Sequence, residues 1–205
     1  LTTEMGKAIR FSVNAVRIFK GRDSIGVRGI KLAAGDNVVS MAVIHHVDVT
    51  SEERSAYFKM RRAITGDETG ESTETASTLS QERYAELSAL EEWILAITAS
   101  GFGKRSSAHE YRVSGRGGQG ITAANLTRRE DRIVASFTVE EEDQIMLVTS
   151  TGQSIRCPVQ GISRQGRSSS GVRVFNTAEE EKVVSVAWIA EQNQEDDETE
   201  GENEN

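Results

Sequence analysis

The residues best suited to chemistry are Gly115-Arg116-Gly117-Gly118-Gln119-Gly120, because the same plan is written twice more. Gly21-Arg22-Asp23-Ser24-Ile25-Gly26-Val27 precedes it, and Gly166-Arg167-Ser168-Ser169-Ser170-Gly171-Val172 follows. Each reads G-R-x-x-x-G and then a β-branched residue. Glycines take positive φ without strain and let another backbone come close. Successive N–H groups in such turns form anion-binding nests, and the adjacent arginine adds charge and a planar fork. Three such elements on a curved scaffold would make a row of phosphate contacts suited to a bent duplex. Glycines that only turn a blade and arginines that only solvate its edge give the same spelling, so spacing alone leaves both readings open.

The elements that must position these residues repeat with them. Gly115 and Gly166 lie 51 residues apart, Gly21 and Gly115 lie 94 apart, and about 43 inserted residues reconcile the two intervals. Upstream of each copy is another turn glycine, Gly6, Gly101 or Gly152. Downstream, a charged turn leads into an apolar run: Asp36-Asn37-Val38, Asp131-Arg132-Ile133 and Glu181-Lys182-Val183. An internal period of this length predicts propeller-like or solenoid architecture. The expected fold is all-β, with three blades at 1–47, 93–142 and 143–190, a helical insertion at 48–92 and an acidic disordered tail at 191–205.

The 205 residues include 18 glycines and one proline, and aromatics make up 5%. That composition favours tight turns between short strands. No run of 18 apolar residues is present to span a membrane. The first residues, Leu1 to Gly6, carry neither a basic stretch nor an apolar one and lack an initiator methionine, so the chain is expected to be a piece of a longer one. Cys157 is the only cysteine, which sets a reducing, cytoplasmic compartment as the expectation. The net charge of −8 is divided unevenly. The tail carries eight acidic groups and no basic one, the insertion eleven acidic and five basic, which leaves the repeat body at +6. A basic body with acidic appendages is a credible polyanion binder.

Along the chain, Ala8 to Val13 and Val27 to Leu32 alternate apolar and polar as half-buried strands do. In the insertion, Thr50 with Glu53 has capping-box spacing, and Tyr57, Met60 and Ile64 form a helical stripe. Thr78 with Gln81 repeats the cap before Leu87, Leu90 and Ile94. Residues 65–77, rich in Gly, Thr and Glu, predict a mobile tip. Trp93 to Ala99 and Gln144 to Thr149 read as buried strands, with Met146 and Trp188 as core.

Several stretches carry the likeness to a known family: Gly6-Lys7-Ala8-Ile9-Arg10-Phe11, Gly26-Val27-Arg28-Gly29-Ile30-Lys31-Leu32, Gly101-Phe102-Gly103-Lys104-Arg105, Asp143 to Thr149 and Gly171-Val172-Arg173-Val174. In these the chain resembles the C-terminal domain of the DNA gyrase A protein, which is a six-bladed β-pinwheel that wraps DNA, over its last three blades and tail. The likeness covers nearly everything except 48–92. The topoisomerase IV counterpart is an alternative, and a propeller used for protein interaction is another. The family's heptapeptide Gln-Arg-Arg-Gly-Gly-Lys-Gly is absent, and 115–120 is a degenerate relative of it, so this stretch alone should wrap DNA poorly.

The resemblance implies bending and wrapping of double-stranded DNA without base readout, in support of ATP-dependent negative supercoiling by a bacterial type II topoisomerase. The implied partners are the rest of the gyrase A protein and the gyrase B protein in a heterotetramer, cytoplasmic and nucleoid-associated. It implies no cofactor in this stretch, with ATP and Mg bound elsewhere in the complex, and no catalytic residue here. The DNA contacts expected are Lys7, Arg10, Arg22, Arg28, Lys31, Lys104, Arg105, Arg116, Arg167 and Arg173, turned outward by Gly21, Gly26, Gly115, Gly120, Gly166 and Gly171.

Three other patterns are set aside. Gly115-x-Gly117-x-x-Gly120, with Glu140 downstream, spells a dinucleotide fingerprint, but a repeat strand follows rather than a βαβ unit. Arg83-Tyr84 has the spelling of a topoisomerase cleavage dipeptide without its acidic metal cluster, so Tyr84 is expected to pack within the insertion. His45 and His46 point to opposite faces if on a strand, and with distant His109 they are read as strand-edge polar residues rather than metal ligands.

Overall fold

The structure, a computed structural model, describes residues 1–65, 79–126, 130–178 and 180–189. The predicted insertion tip beyond Thr65, Thr78 and the acidic tail lie outside the described residues. Each copy of the repeat begins with a hairpin closed by one further strand. The first copy supplies β1 (Thr2–Thr3), β2 (Lys7–Ala8) and β3 (Val38–Ser40); two helices follow, α1 (Ser51–Thr65) and α2 (Gln81–Ala89). The second supplies β4 (Trp93–Thr98), β5 (Phe102–Ser107), β6 (Ile121–Thr122) and β7 (Ile133–Val139). The third supplies β8 (Gln144–Thr149), β9 (Ser154–Pro158), β10 (Val172–Arg173) and β11 (Val183–Ile189).

The sheets do not respect these boundaries. Among the described residues the orders are β3-β1-β2-β6, β10-β5-β4-β7 and β11-β8-β9. Strand β6 of the second copy completes the first blade, with Ala8 opposite Ile121, and β10 of the third completes the second, with Val172 opposite Gly103. The stretch carrying each later Gly-Arg element is therefore a strap thrown onto the preceding blade.

Two glycines make this exchange possible. Gly120 and Gly171 sit at φ +72° and +84°. A Cβ on Gly120 would lie 2.5 Å from the carbonyl oxygen of Ala8, and one on Gly171 would lie 2.6 Å from that of Gly103. Only a residue without a side chain lets the strap come so close.

The acidic turns have a shared purpose. Asp36 accepts the N–H of Met5 at 2.9 Å, and Asp131 accepts the N–H of Ser100 at 3.1 Å. Glu181 accepts the hydroxyl of Thr151 at 2.5 Å. All three carboxylates are buried, each tying the closing strand of its blade to the tip of the hairpin. A carboxylate tolerates burial only when such donors are supplied.

The core lies between blades rather than within them. Leu95, Ile97, Ile145, Leu147, Val159 and Val183 fill the joint between the second and third blades. Ala8, Ile94, Ala108, Tyr111 and Ala123 fill the joint between the first and second. Strand β8 alternates, so Ile145 and Leu147 are fully buried, each contributing about 1.5–3 kcal/mol, while Met146 is half-buried. The core expectation for Trp188 is corrected: it is 54% exposed on the open face of β11.

Other expectations change in detail. The strand expected over Ala8 to Val13 stops at Ala8, with an isolated bridge at Arg10 and a 3-10 turn at Val13–Ala15. Val27 to Leu32 is not in a strand, but Lys31 donates its N–H to Gly118 at 2.8 Å and Gly29 accepts that of Gly117 at 2.6 Å. The capping box of α1 forms: Glu53 donates its N–H to the Thr50 hydroxyl at 3.1 Å, and Thr50 donates back to the Glu53 carboxylate at 2.9 Å. Helix α2 is capped by Ser80, not Thr78, and Ile94 belongs to β4 rather than to its stripe.

Candidate nucleic-acid interface

Consecutive straps touch one another. The first runs through residues 13–28, the second through 108–122 and the third through 159–173, by alignment of their 3-10 turns and second glycines. Arg116 donates to the carbonyl of Arg28 at 3.2 Å and to that of Ala15 at 3.0 Å. Arg167 donates to the carbonyl of Thr122, the counterpart of Arg28. The arginine of each later Gly-Arg element is thus a staple to the strap one copy back. Its guanidinium is engaged by backbone, which corrects the expectation that Arg167 reaches outward: it is half-buried, and its Nε is buried with no hydrogen-bond partner among the described residues. Arg116 remains exposed at its staple. Arg22 is exposed, and neither Gly21 nor Gly26 has an atom close to where a Cβ would stand.

A second set of arginines works at the blade edges. Arg10 is half-buried and donates to the carbonyls of Ala108, Tyr111 and His45 at 3.0, 3.4 and 2.9 Å. Its counterpart Arg105 is buried, donating to Ile162 and Gln160 and pairing with Glu141 at 2.6 Å. Both clamp the 3-10 turn that opens the next strap. Arg156, the third member, is exposed and makes no hydrogen bond among the described residues.

Lys104 is also internal. Its Nζ donates to Gly166 at 3.0 Å, to Ser169 at 2.8 Å and to Arg167, gathering three carbonyls of the third strap around one ammonium group. Burial pulls its pKa down to about 7, opposed by the nearby Glu110 carboxylate. Lys104 and Arg105 therefore leave the set of expected DNA contacts: a side chain enclosed by main-chain oxygens cannot reach a phosphate.

Facing solvent are Lys7, Arg28, Lys31 and Arg173 from the expected set. Lys7 stands beside Thr122, reaching its hydroxyl at 3.3 Å. Arg28 and Arg173 hold the same place, two residues after the second glycine of their straps, and Arg173 lies over the Phe102 ring at 4.9 Å. Exposed Arg112, missed in the sequence, sits at the mouth of a cleft of about 330 Å³ that is also lined by Ser114, Gly115, Gly118 and Gln119. Gly117 gives its amide to Gly29, so the nest expected here loses that donor to the fold.

The residues of the rejected patterns are occupied structurally. Tyr84 stacks on Tyr57 with centroids 5.1 Å apart, and Arg83 pairs with Glu53 and Glu86. His45 faces Glu92 at 3.1 Å, and the ring of buried His109 meets the Leu87 carbonyl at 3.0 Å. The Gly115–Gly120 segment leads into a two-residue strand, not a helix. Cys157 is half-buried, and burial raises its pKa.

The family model described as the DNA gyrase C-terminal domain, beta-propeller, matches residues 1–45, 92–140 and 143–187. The chain belongs to the DNA gyrase C-terminal domain family. The three matched segments are the three strap-bearing copies, and the helices fall between the first two. Among curated gyrase relatives, the chain is 45% identical to the DNA gyrase A protein of Granulibacter bethesdensis, over 96% of this chain and 23% of that protein. It is 42% identical to the same protein of Rickettsia bellii, over 98% and 23%. The chain thus spans about a quarter of the length of these relatives. Among solved structures it resembles a DNA gyrase A C-terminal domain (TM-score 0.60, 20% identity, 92% of this chain and 49% of that one). It also resembles the C-terminal domain of DNA topoisomerase IV (TM-score 0.65, 22% identity, 92% and 45%). At these identities the solved structures speak for the fold alone.

Proposed function

We propose that this chain binds and bends duplex DNA through its backbone, as the C-terminal part of a DNA gyrase A protein. The observation that carries the reading is the stapling of consecutive straps. It ties each strap to the last, and exposed cations stand at equivalent positions of the first and third straps, Arg28 and Arg173, with Thr122 at that position of the second. The contacts are Lys7, Arg22, Arg28, Lys31, Arg112 and Arg173, with Arg116 contributing from its staple. Such contacts go to phosphate and carry no base code, so any sequence preference comes from how readily the DNA bends. Bending 20–30 base pairs by 40–90° costs on the order of 1–6 kcal/mol, which several phosphate contacts together offset.

In the longer protein this binding supports ATP-dependent negative supercoiling. Strand cleavage and ATP hydrolysis with Mg belong to other segments and to the gyrase B protein, in the bacterial cytoplasm. The experiment is a titration of duplex DNA at several salt concentrations. With about 6–10 phosphate contacts, affinity falls roughly 10³–10⁵-fold between 50 and 200 mM salt. Weak binding at every salt concentration would point instead to a protein-interaction surface.

A further inference from the structure

Helices α1 and α2 are locked onto the blades. Tyr57 is buried, donates to Glu91 at 2.9 Å and meets the His109 ring edge-on at 5.5 Å. Leu87 is fully buried. Arg61 of α1 pairs with Glu91 at 2.6 Å and lies over the Trp93 ring at 5.3 Å. Arg164, two residues before Gly166, lies over the same ring at 4.6 Å. Trp93 is thereby shared between the insertion and the third strap. The third strap is also held by Glu110, whose carboxylate accepts the N–H of Arg167 at 2.5 Å.

We propose that the helical insertion is a brace for the third Gly-Arg element, and that Arg61 is the positioning residue joining them through Trp93, its charge acting also on the Glu110 that holds the strap. Three cations act on Glu110 electrostatically, Arg61 from α1, Lys104 from β5 and Arg167 from the strap, and Tyr111 neighbours it in sequence. Burial raises the pKa of Glu110, while the Arg167 N–H and the three cations lower it. An ionised Glu110 grips the strap amide; a protonated one accepts less strongly. Without the charge of Arg61, the carboxyl protonates at a higher pH and the strap loosens there. The flat guanidinium also fills the space over Trp93, which an aliphatic chain covers less well. The consequence for DNA rests on the function proposed above, but the placement of the strap is measured separately.

The test follows the Arg167 amide by NMR from about pH 8 to about pH 4 in the 205-residue chain and in its Arg61→Gln and Arg61→Lys variants. In Arg61→Gln the midpoint moves up, and exchange protection over 166–171 falls about threefold or more while β8 and β11 keep theirs. Arg61→Lys, which keeps the charge, returns the midpoint toward that of the unaltered chain. An unchanged midpoint and unchanged protection in Arg61→Gln overturn the brace. Should Arg61→Gln also lose protection in β8 and β11, Arg61→Lys decides: a midpoint displaced upward in a folded chain overturns the Glu110 link. A third arm measures the salt slope of duplex binding. If the amide responds and the slope does not, the brace stands and the DNA role of this strap fails.

Discussion

Arg167 donates its guanidinium to the carbonyl of Thr122, and Arg116 makes the equivalent bond to Arg28, each reaching back one copy along the chain. Two of the three Gly-Arg arginines are thus structural cross-ties, and most of the charges left for a ligand lie outside those elements. This division separates stability from binding. Arg167→Gln should destabilise the fold by about 1–3 kcal/mol, the cost of a half-buried carbonyl losing this donor, while leaving the salt slope of DNA binding nearly unchanged. Arg173→Ala should do the reverse, changing stability by about 0.5 kcal/mol or less while reducing the slope by about 1. Urea unfolding and salt-dependent titration on the two variants check the pair.

Lys104 gives the fold a dependence on pH. Its folded pKa, about 7, lies below the ordinary lysine value of 10.5. Below pH 7 both folded and unfolded chains carry the charge, and the full cost of burying it is felt. Between about 7 and 10.5 the unfolded chain holds more protons, so this group makes stability rise with pH across that window. Unfolding curves at steps of pH should show the rise, and Lys104→Met should flatten it. The same substitution takes the ammonium donor from the carbonyls of Gly166, Arg167 and Ser169, of which Gly166 keeps the N–H of Ser169 and Ser169 keeps that of Asn125, at a net cost of about 1–3 kcal/mol.

Equivalent glycines should respond in opposite ways. At Gly120 an added methyl meets the Ala8 carbonyl at 2.5 Å and φ is +72°, so Gly120→Ala should cost more than about 1–2 kcal/mol. At Gly26 nothing lies within 4 Å and φ is not positive, so Gly26→Ala should be neutral or stabilising by about 0.4–1 kcal/mol. Equal losses from both substitutions would contradict the account of strap docking.

The acidic residues between Glu191 and Asn205 should compete with DNA for the exposed cations. Removing 191–205, which carries eight acidic groups and no basic one, should tighten DNA binding at low salt and matter little at high salt. Identical affinities with and without it, measured at low salt, would end that expectation.

The sequence disclosed the period, because a Gly-Arg strap imposes the same backbone needs wherever it occurs. The strand at Gln144 to Thr149 and the cap at Thr50 and Glu53 were equally legible, since alternation and capping are local. Strand exchange was not, because local pattern cannot say which sheet a two-residue strand such as Ile121–Thr122 joins. The same limit explains the site. Lys104 and Arg105 carry the same formal charge as Lys31 and Arg28, and only the neighbouring strap, laid across them from another copy, turns them inward. Arg112 could have been suspected from its place just after the 3-10 turn, beside the glycine cleft.

Arg156 stands where Arg10 and Arg105 stand in their own copies, yet among the described residues it has no turn to clamp, and strand β9 has no strap along its outer edge. The first two blades are each finished by the copy that follows, so their strength is a property of the joints. Loosening one joint releases a strap from one blade and a foothold from the next. A change at one strap is then felt at the two blades it joins, and the sheets beyond them keep their own hydrogen bonds.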